Sequence, residues 1–320
     1  MLTSAQAPRI DSAPAMSPLL TTTVPRGYVH RASVAEVLLT GWDKDAHAPA
    51  ETSDAYVVRA QWPRSHALFA SAHGHQDPLL LVESIRQAGT LLTHTEYDVP
   101  FGHQFLMWDM YVEATPAAFT TSPTPTDVDL HTTCHDIVRR GRSIAGMRYE
   151  VTVRRDGLPV ATGGARFSCT SPAVHRRLRG ARPTTTGRAL PAPLDPADVG
   201  HTVGENVVLA PPARVRENRW ELRVDTGHPV FFDHPVDHVP GMLLIEAARQ
   251  AARAATRQPD ALLVGLRSTF VRYAELDAPC WIEAQVERAE KAEEVRVHVR
   301  GTQEGERVFT ADLVLRRPAG

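Results

Sequence analysis

Apolar and polar positions along this chain follow two alternating periods, and the whole pattern occurs twice. Over residues 78–93, "PLLLVESIRQAGTLLT", and again over 240–256, "PGMLLIEAARQAARAAT", aliphatic residues and alanine run almost unbroken. At 100° per residue the interruptions collect on one face: Glu83, Arg86, Gln87, Thr90 and His94 in the first run, Glu246, Arg249, Gln250, Arg253 and Arg257 in the second. Each run predicts one long helix. Asp77-Pro78 supplies an N-cap residue followed by Pro in the first turn, and Pro240 marks the second start in the same way.

Ahead of each helix stands a short β-type segment, "VAEVLLT" at 34–40 and "ENVVLAP" at 205–211. Behind each come strand-like stretches, "QFLMWDMYVEA" and "LRSTFVRYAEL", then residues of period two around Asp156-Gly157 and Glu304-Gly305, pairs that signal hairpin turns. Setting Glu83 on Glu246, an offset of 163 residues (246 minus 83), also pairs Phe69 with Phe232, His75 with His238, Arg86 with Arg249, Gln87 with Gln250 and Ala88 with Ala251. The chain is therefore an internal duplication. Its fold class is α+β, each half a long helix wrapped by an antiparallel sheet. The expected boundaries are a disordered tail over 1–27, a first domain over 28–171, a Pro/Arg/Thr-rich surface linker over 172–200 and a second domain over 201–317. The Pro/Thr-rich stretch at 115–126 reads as a loop.

Composition narrows the classes. At 320 residues either half has room for a full core, and no apolar run approaches the roughly 18 residues that span a bilayer. A net charge of −2 removes the electrostatic drive of a nucleic-acid binder, so neither nucleic acid nor membrane is an expected partner. Three scattered cysteines, Cys134, Cys169 and Cys280, argue against a disulfide framework and fit a reducing cytoplasm.

The polar stripe admits two readings. As the solvated face of an amphipathic helix, each Glu-Arg pair contributes about 0–1 kcal/mol. If the stripe is buried between the halves, desolvation raises the carboxyl pKa and the neighbouring guanidinium lowers it, which places a tunable base beside an anion-binding fork. Identity of Glu, Arg and Gln in both copies, while later stripe positions drift, favours the second. "HGHQD" at 73–77 lacks a further ligand set of metal-site spacing, so no metal is expected. The basic run "HRRLRGAR" at 175–182 is a solvated linker or a docking surface for an acidic partner, and Arg272 points either into the site or to solvent.

The run "FFDHPVDHVPGMLLIEAARQAA" resembles the active-site segment of hotdog-fold β-hydroxyacyl-carrier-protein dehydratases, in which a His-bearing loop leads through Pro-Gly into a helix with an acidic residue. With "VHRASVAEVLLTGW", "DHVPGMLLIEAARQA" and "FVRYAELDAPC", the duplicated form resembles the A-factor synthase family of γ-butyrolactone autoregulator biosynthesis over most of residues 28–316. That resemblance implies a tandem, double hotdog. It also implies transfer of a β-ketoacyl group from an acyl carrier protein, or CoA, thioester to the hydroxyl of dihydroxyacetone phosphate, without a cofactor. One chain then supplies the two hotdogs that other members of the fold obtain by dimerising, and a homodimer of such chains stays open. Glu83, Arg86, Glu246 and Arg249 match the family's paired Glu-x-x-Arg positions.

Glu246 is the expected base, with Glu83 orienting Arg86, and Arg249 and Arg86 the expected phosphate ligands. Gln87 and Gln250 stand beside them. His238 and its repeat partner His75 are the loop candidates, with His234 a rival match to the loop histidine. The first copy has Asp77-Pro78 where the second has Pro240-Gly241, and Pro78 lacks the amide that Gly241 carries. The thioester carbonyl is therefore expected at Gly241 and Met242. A dehydratase or thioesterase, or a non-catalytic acyl-binding sensor, is the alternative on the same fold.

Overall fold

The computed structural model describes residues 21–49, 54–141, 143–211, 218–287 and 293–317. The first half contributes β1 (Leu39–Lys44), β2 (Ala55–Trp62), helix α1 (Leu79–Thr95), β3 (Gln104–Ala114), β4 (Thr126–Arg140), β5 (Ser143–Arg155) and β6 (Leu158–Thr170). The connecting segment carries two short helices, α2 (Pro172–Arg179) and α3 (Pro196–Val199). The second half contributes β7 (Leu209–Ala210), β8 (Arg219–Leu222), helix α4 (Gly241–Thr256), β9 (Leu262–Phe270), β10 (Cys280–Glu287), β11 (Glu294–Gln303) and β12 (Glu306–Arg316).

All twelve strands join one sheet in the order β1-β2-β4-β5-β6-β3-β9-β12-β11-β10-β8-β7. Read outward from the β3–β9 junction, the two halves list equivalent strands, so a pseudo-twofold passes between Asp109↔Thr269 and Glu113↔Gly265, the ends of that antiparallel ladder. This is the double hotdog, one helix cradled by each half of a continuous curved sheet. Both hairpins expected at Asp156-Gly157 and Glu304-Gly305 form, with positive φ at all four residues, the backbone of a type I′ turn.

Both helices are buried almost all round, their polar stripes included. Leu79, Leu80, Leu81, Val82, Ile85, Leu91 and Leu92 have no exposed surface, and each full burial is worth about 1.5–3 kcal/mol. Gly89 lets α1 approach the sheet: a Cβ there would stand 2.6 Å from the Tyr149 ring, whose hydroxyl donates to the Ile85 carbonyl at 2.8 Å.

Several local expectations shift. "VAEVLLT" and "ENVVLAP" open as 3-10 turns, Val34–Glu36 and Gly204–Asn206, before the strands begin. The "LRSTFVRYAEL" stretch leaves its strand at Phe270. The Pro/Thr-rich loop holds a 3-10 turn, Pro116–Phe119, that buries Ala118 and Phe119. Residues 1–20 of the expected tail lie outside the described residues, whereas Val24 is buried and its amide donates to the Leu39 carbonyl at 2.9 Å. Among the described residues no helix is long and apolar enough to cross a membrane.

Candidate active site

The polar stripe of each helix is buried. Glu83 is 1% exposed and Glu246 has no exposed surface, so the solvated-face reading does not hold for either. Glu83 accepts from Arg31 Nη2 at 2.7 Å, Arg86 Nη2 at 2.6 Å, Arg86 Nε at 2.8 Å and Gln87 Nε2 at 2.7 Å. Burial pushes its carboxyl up, and the guanidiniums of Arg31 and Arg86 outweigh that and hold it at about 2. Glu246 accepts from Gln250 Nε2 at 2.7 Å, has His201 Nε2 at 2.7 Å and lies 2.7 Å from Arg249 Nη2. Burial raises this carboxyl as well, and Arg249 and His201 bring it to about 2. Each glutamine also bridges backbone: Gln87 to Leu38 and Glu36, Gln250 to Val208 and Asn206. The repeated Glu-x-x-Arg-Gln thus fastens each helix to the chain ahead of its first strand.

Around these matching centres the two seams differ. A cavity of about 220 Å³ lies where Arg86 and Thr90 of α1 face the loop and helix start of the second half, including His234, His238, Gly241 and Met242. Its apolar wall includes Phe105, Met107, Met110, Phe167, Phe231, Ile245 and Phe270. The second-half loop reaches across to build it: Arg31 Nη1 donates to the Val230 carbonyl at 2.9 Å and the Ala32 amide to Asp233 Oδ2 at 2.8 Å. Arg86 spends Nε and Nη2 on Glu83 and the Val29 carbonyl, which leaves Nη1 for the cavity. Gly241 and Met242 are the first residues of α4, whose opening amides have no acceptor within the helix.

His238 Nδ1 lies 2.7 Å from Asp237 Oδ1, so Nε2 is the ring nitrogen left for the cavity. Asp237 is in turn held by Arg179, whose Nε is 3.3 Å from Oδ2 and whose Nη2 donates to its carbonyl at 2.9 Å. Arg179 also pairs with Glu275 at 2.6 Å and covers the Tyr273 ring at 4.0 Å. The His238 hydrogen bond, ahead of opposing burial and the Arg179 charge, keeps the Asp237 carboxyl well below its ordinary range. Opposite, His94 Nδ1 donates to the Val99 carbonyl at 2.6 Å and its Nε2 meets His30 Nε2 at 2.8 Å. Burial, then His94 and Arg86, lowers His30 to about 3, so this cavity-lining imidazole is neutral.

The other seam, between the first-half loop and α4, holds Asp77 against Arg249, Oδ1 to Nη1 at 2.6 Å. Asp77 stands where the second copy has Pro240, so the equivalent cavity rim carries a carboxylate that locks the arginine. Arg249 is 1% exposed. Burial lowers its basicity and Asp77 and Glu246 more than restore it, leaving it raised. Arg253, lowered by burial to about 10, is fixed on the Val199 and Ala261 carbonyls.

The structure therefore brings together Glu83, Arg86, Gln87, His238, Gly241 and Met242, and separates them from Glu246, Arg249, Gln250 and His75. His75 and His238 do not face each other: His75 borders the Arg249 seam, its Nδ1 3.0 Å from the His73 carbonyl. His73 pairs with Asp260 at 2.9 Å, so the residues of "HGHQD" are directed to different partners. Arg272 is exposed and pairs with Glu306 at 3.3 Å, away from either seam. Sequence reasoning missed Arg31, His30, His201 and Asp233, and it read Arg179 as part of a linker or docking run where the structure turns it inward onto Asp237 and Glu275. Arg31 and His201 were findable, because each precedes its half's Leu39 or Leu209 by the same eight residues.

An A-factor biosynthesis hotdog domain model (AfsA) matches residues 13–171 and 184–316, nearly the whole chain. The chain belongs to this family. A relative from Streptomyces virginiae, described as a 2-oxo-3-(phosphooxy)propyl 3-oxoalkanoate synthase, is 52% identical over 292 residues, 91% of this chain and 97% of its own. A Streptomyces coelicolor protein of the same description is 40% identical over 294 residues, 91% of this chain and 90% of its own. Among solved structures, a chain described as an oleoyl thioesterase from Lactobacillus plantarum superposes with a TM-score of 0.53 at 12% identity, covering 84% of this chain and 99% of its own. That match bears on the fold alone. The two matched segments of the A-factor biosynthesis hotdog family correspond to the two halves of the duplicated fold.

Proposed function

We propose that this family member is an acyltransferase that moves a 3-oxoacyl group from a thioester to the free hydroxyl of dihydroxyacetone phosphate, giving a 2-oxo-3-(phosphooxy)propyl 3-oxoalkanoate and a thiol. The observation that carries the reading is a cavity in which a guanidinium from α1, a helix N-terminus and a histidine from the other half meet an apolar wall.

In this reading Arg86, held in the fork of Glu83, binds the phosphate through the edge that its other bonds leave open. His238, oriented by Asp237, accepts the hydroxyl proton as the oxygen attacks the thioester carbon. The amides of Gly241 and Met242 hold the tetrahedral oxyanion, and its collapse expels the thiolate, which takes the proton back from His238. Glu83 orients two arginines and stays ionised, since a carboxyl at about 2 is too weak a base for this proton near neutral pH. The same holds for Glu246, which in addition lies outside this cavity, so the base assignment moves from Glu246 to His238. The donor thiol belongs to an acyl carrier protein, whose pantetheine arm reaches in past His30 and Gln104.

Incubating the protein with a 3-oxoacyl thioester, with and without dihydroxyacetone phosphate, tests the reading. Ester formed only with the acceptor is expected. Free 3-oxo acid at equal rates with and without it means a thioesterase, and dehydration of a 3-hydroxyacyl thioester means a dehydratase.

A further inference from the structure

The linker between the halves holds a feature that the reaction leaves unused. Helix α2 crosses one side of the cavity mouth as a strap. At its start Pro172 packs beside Gly102 of the first half, its Cγ 3.7 Å from where a Gly102 Cβ would stand, and Gly102 borders the outer mouth with His30, Arg31, Gln104 and His234. At its end Arg179 grips Asp237 and Glu275 of the second half. His175, one turn earlier on the same face, meets the Tyr273 ring edge-on. Only this His175/Arg179 face is turned to the protein.

The outward face is unlike a solvated linker. Val174 is 39% exposed and Leu178, one turn on, 74% exposed, which makes a short apolar stripe. Arg177 lies beside this stripe and Arg176 on the far side of Arg177, both exposed, and neither has an ion-pair partner among the described residues. The nearby carboxylates Asp237 and Glu275 are taken by Arg179, and Arg182 stands 4.0 Å from Glu275. The outer face therefore keeps uncompensated positive charge beside the entrance on a chain whose net charge is −2.

We propose that the outer face of α2 is the docking surface for an acidic acyl carrier protein, Val174 and Leu178 meeting apolar side chains on the carrier and Arg176 and Arg177 its carboxylates. This rests on the acyltransferase reading and adds the carrier's landing site. Such a surface speeds encounter more than it tightens the final complex, and its effect falls with salt. Arg176 and Arg177 touch nothing in the cavity, so exchanging their charge leaves the chemistry alone, whereas Arg179 is not a clean probe because it holds the histidine loop.

The experiment compares wild type with Arg176→Glu/Arg177→Glu, and separately Leu178→Ala, using two donors that carry the same 3-oxoacyl group: the carrier protein and a small N-acetylcysteamine thioester. The charge variant is expected to lose roughly 10-fold or more in kcat/KM for the carrier at low salt, with the difference shrinking as salt rises, and to match wild type with the small thioester. Leu178→Ala is expected to raise KM for the carrier without this salt dependence. Unchanged carrier kinetics in the charge variant overturn the docking site, and so does an equal loss with both donors, which would make α2 only a strap. Failure of the acyltransferase reading looks different: wild type itself then forms no acceptor-dependent ester from either donor.

Discussion

Replacing Asp77 by Asn tests the division of labour between the two seams. Asn keeps the shape of the side chain and an acceptor for the Leu79 amide, which Asp77 Oδ1 takes at 2.8 Å, and removes only the charge facing Arg249. Breaking a buried ion pair from one side costs about 3–5 kcal/mol when the remaining charge is left alone. Arg249 is not left alone, because Glu246 lies 2.7 Å from its Nη2, so the expected cost is about 2–3 kcal/mol. For a chain of this size that lowers Tm by about 3–5 °C. Below the transition, acyl transfer should stay within about twofold of wild type, because none of these atoms borders the cavity at His238. Arg86→Met is the counterpart and should depress turnover about 10²- to 10³-fold, since it removes the group assigned to the phosphate. Calorimetry and steady-state assays at 25 °C read both. Should Asp77→Asn leave Tm untouched, or stop turnover as Arg86→Met does, the Arg249 seam is not a structural lock and the reasoning fails.

Two more tests follow from the helix starts and the buried carboxylates. Pro is well tolerated at the first helical position, so Gly241→Pro should keep α4 folded while deleting one amide from the cavity, at a cost of about 10²- to 10³-fold in kcat; Pro78→Gly, which adds an amide to the locked seam, should change kcat little, and equal effects would refute the asymmetry. Glu83 and Glu246, both held at about 2 in the folded state, stay ionised there while the unfolded chain protonates near 4.3. Their stabilisation is complete above about pH 4.5 and falls away as pH drops toward 2, by roughly 3 kcal/mol per carboxylate. Urea melts between pH 7 and 3 should show that decline, and a flat profile would remove the arginine pairing as its source.

Much of this was legible in the chain because it recurs. Aligning Glu83 with Glu246 exposes the duplication, and helix starts and hairpin turns depend on local rules that Pro78, Pro240, Asp156-Gly157 and Glu304-Gly305 obey. The pairing across the seam was not legible. Each helix meets the loop of the opposite half, so Gly241 serves the cavity of Arg86 and not that of Arg249, an exchange that positions within one half cannot express. Asp77 reads as a helix cap because that role is local, while its ion pair spans 172 residues. Arg31 was legible only through its spacing from Leu39, which His201 repeats ahead of Leu209, whereas Arg179 sits in a stretch without periodicity, where no pattern marks a charged side chain as buried. The competition between burial and paired guanidiniums at Glu83 and Glu246 was foreseen in kind, but its winner depends on distances below 3 Å.

The asymmetry between Asp77 and Pro240 has an evolutionary side. In a hotdog built from two identical subunits, any substitution at the rim appears at both ends of the symmetry axis, so a residue that blocks one site blocks its twin. Joining the copies in one polypeptide lifts that constraint. One rim can then carry a buried ion pair, Asp77 on Arg249, while the other stays open as a cavity, and a substitution at either end of the molecule alters that seam without its twin.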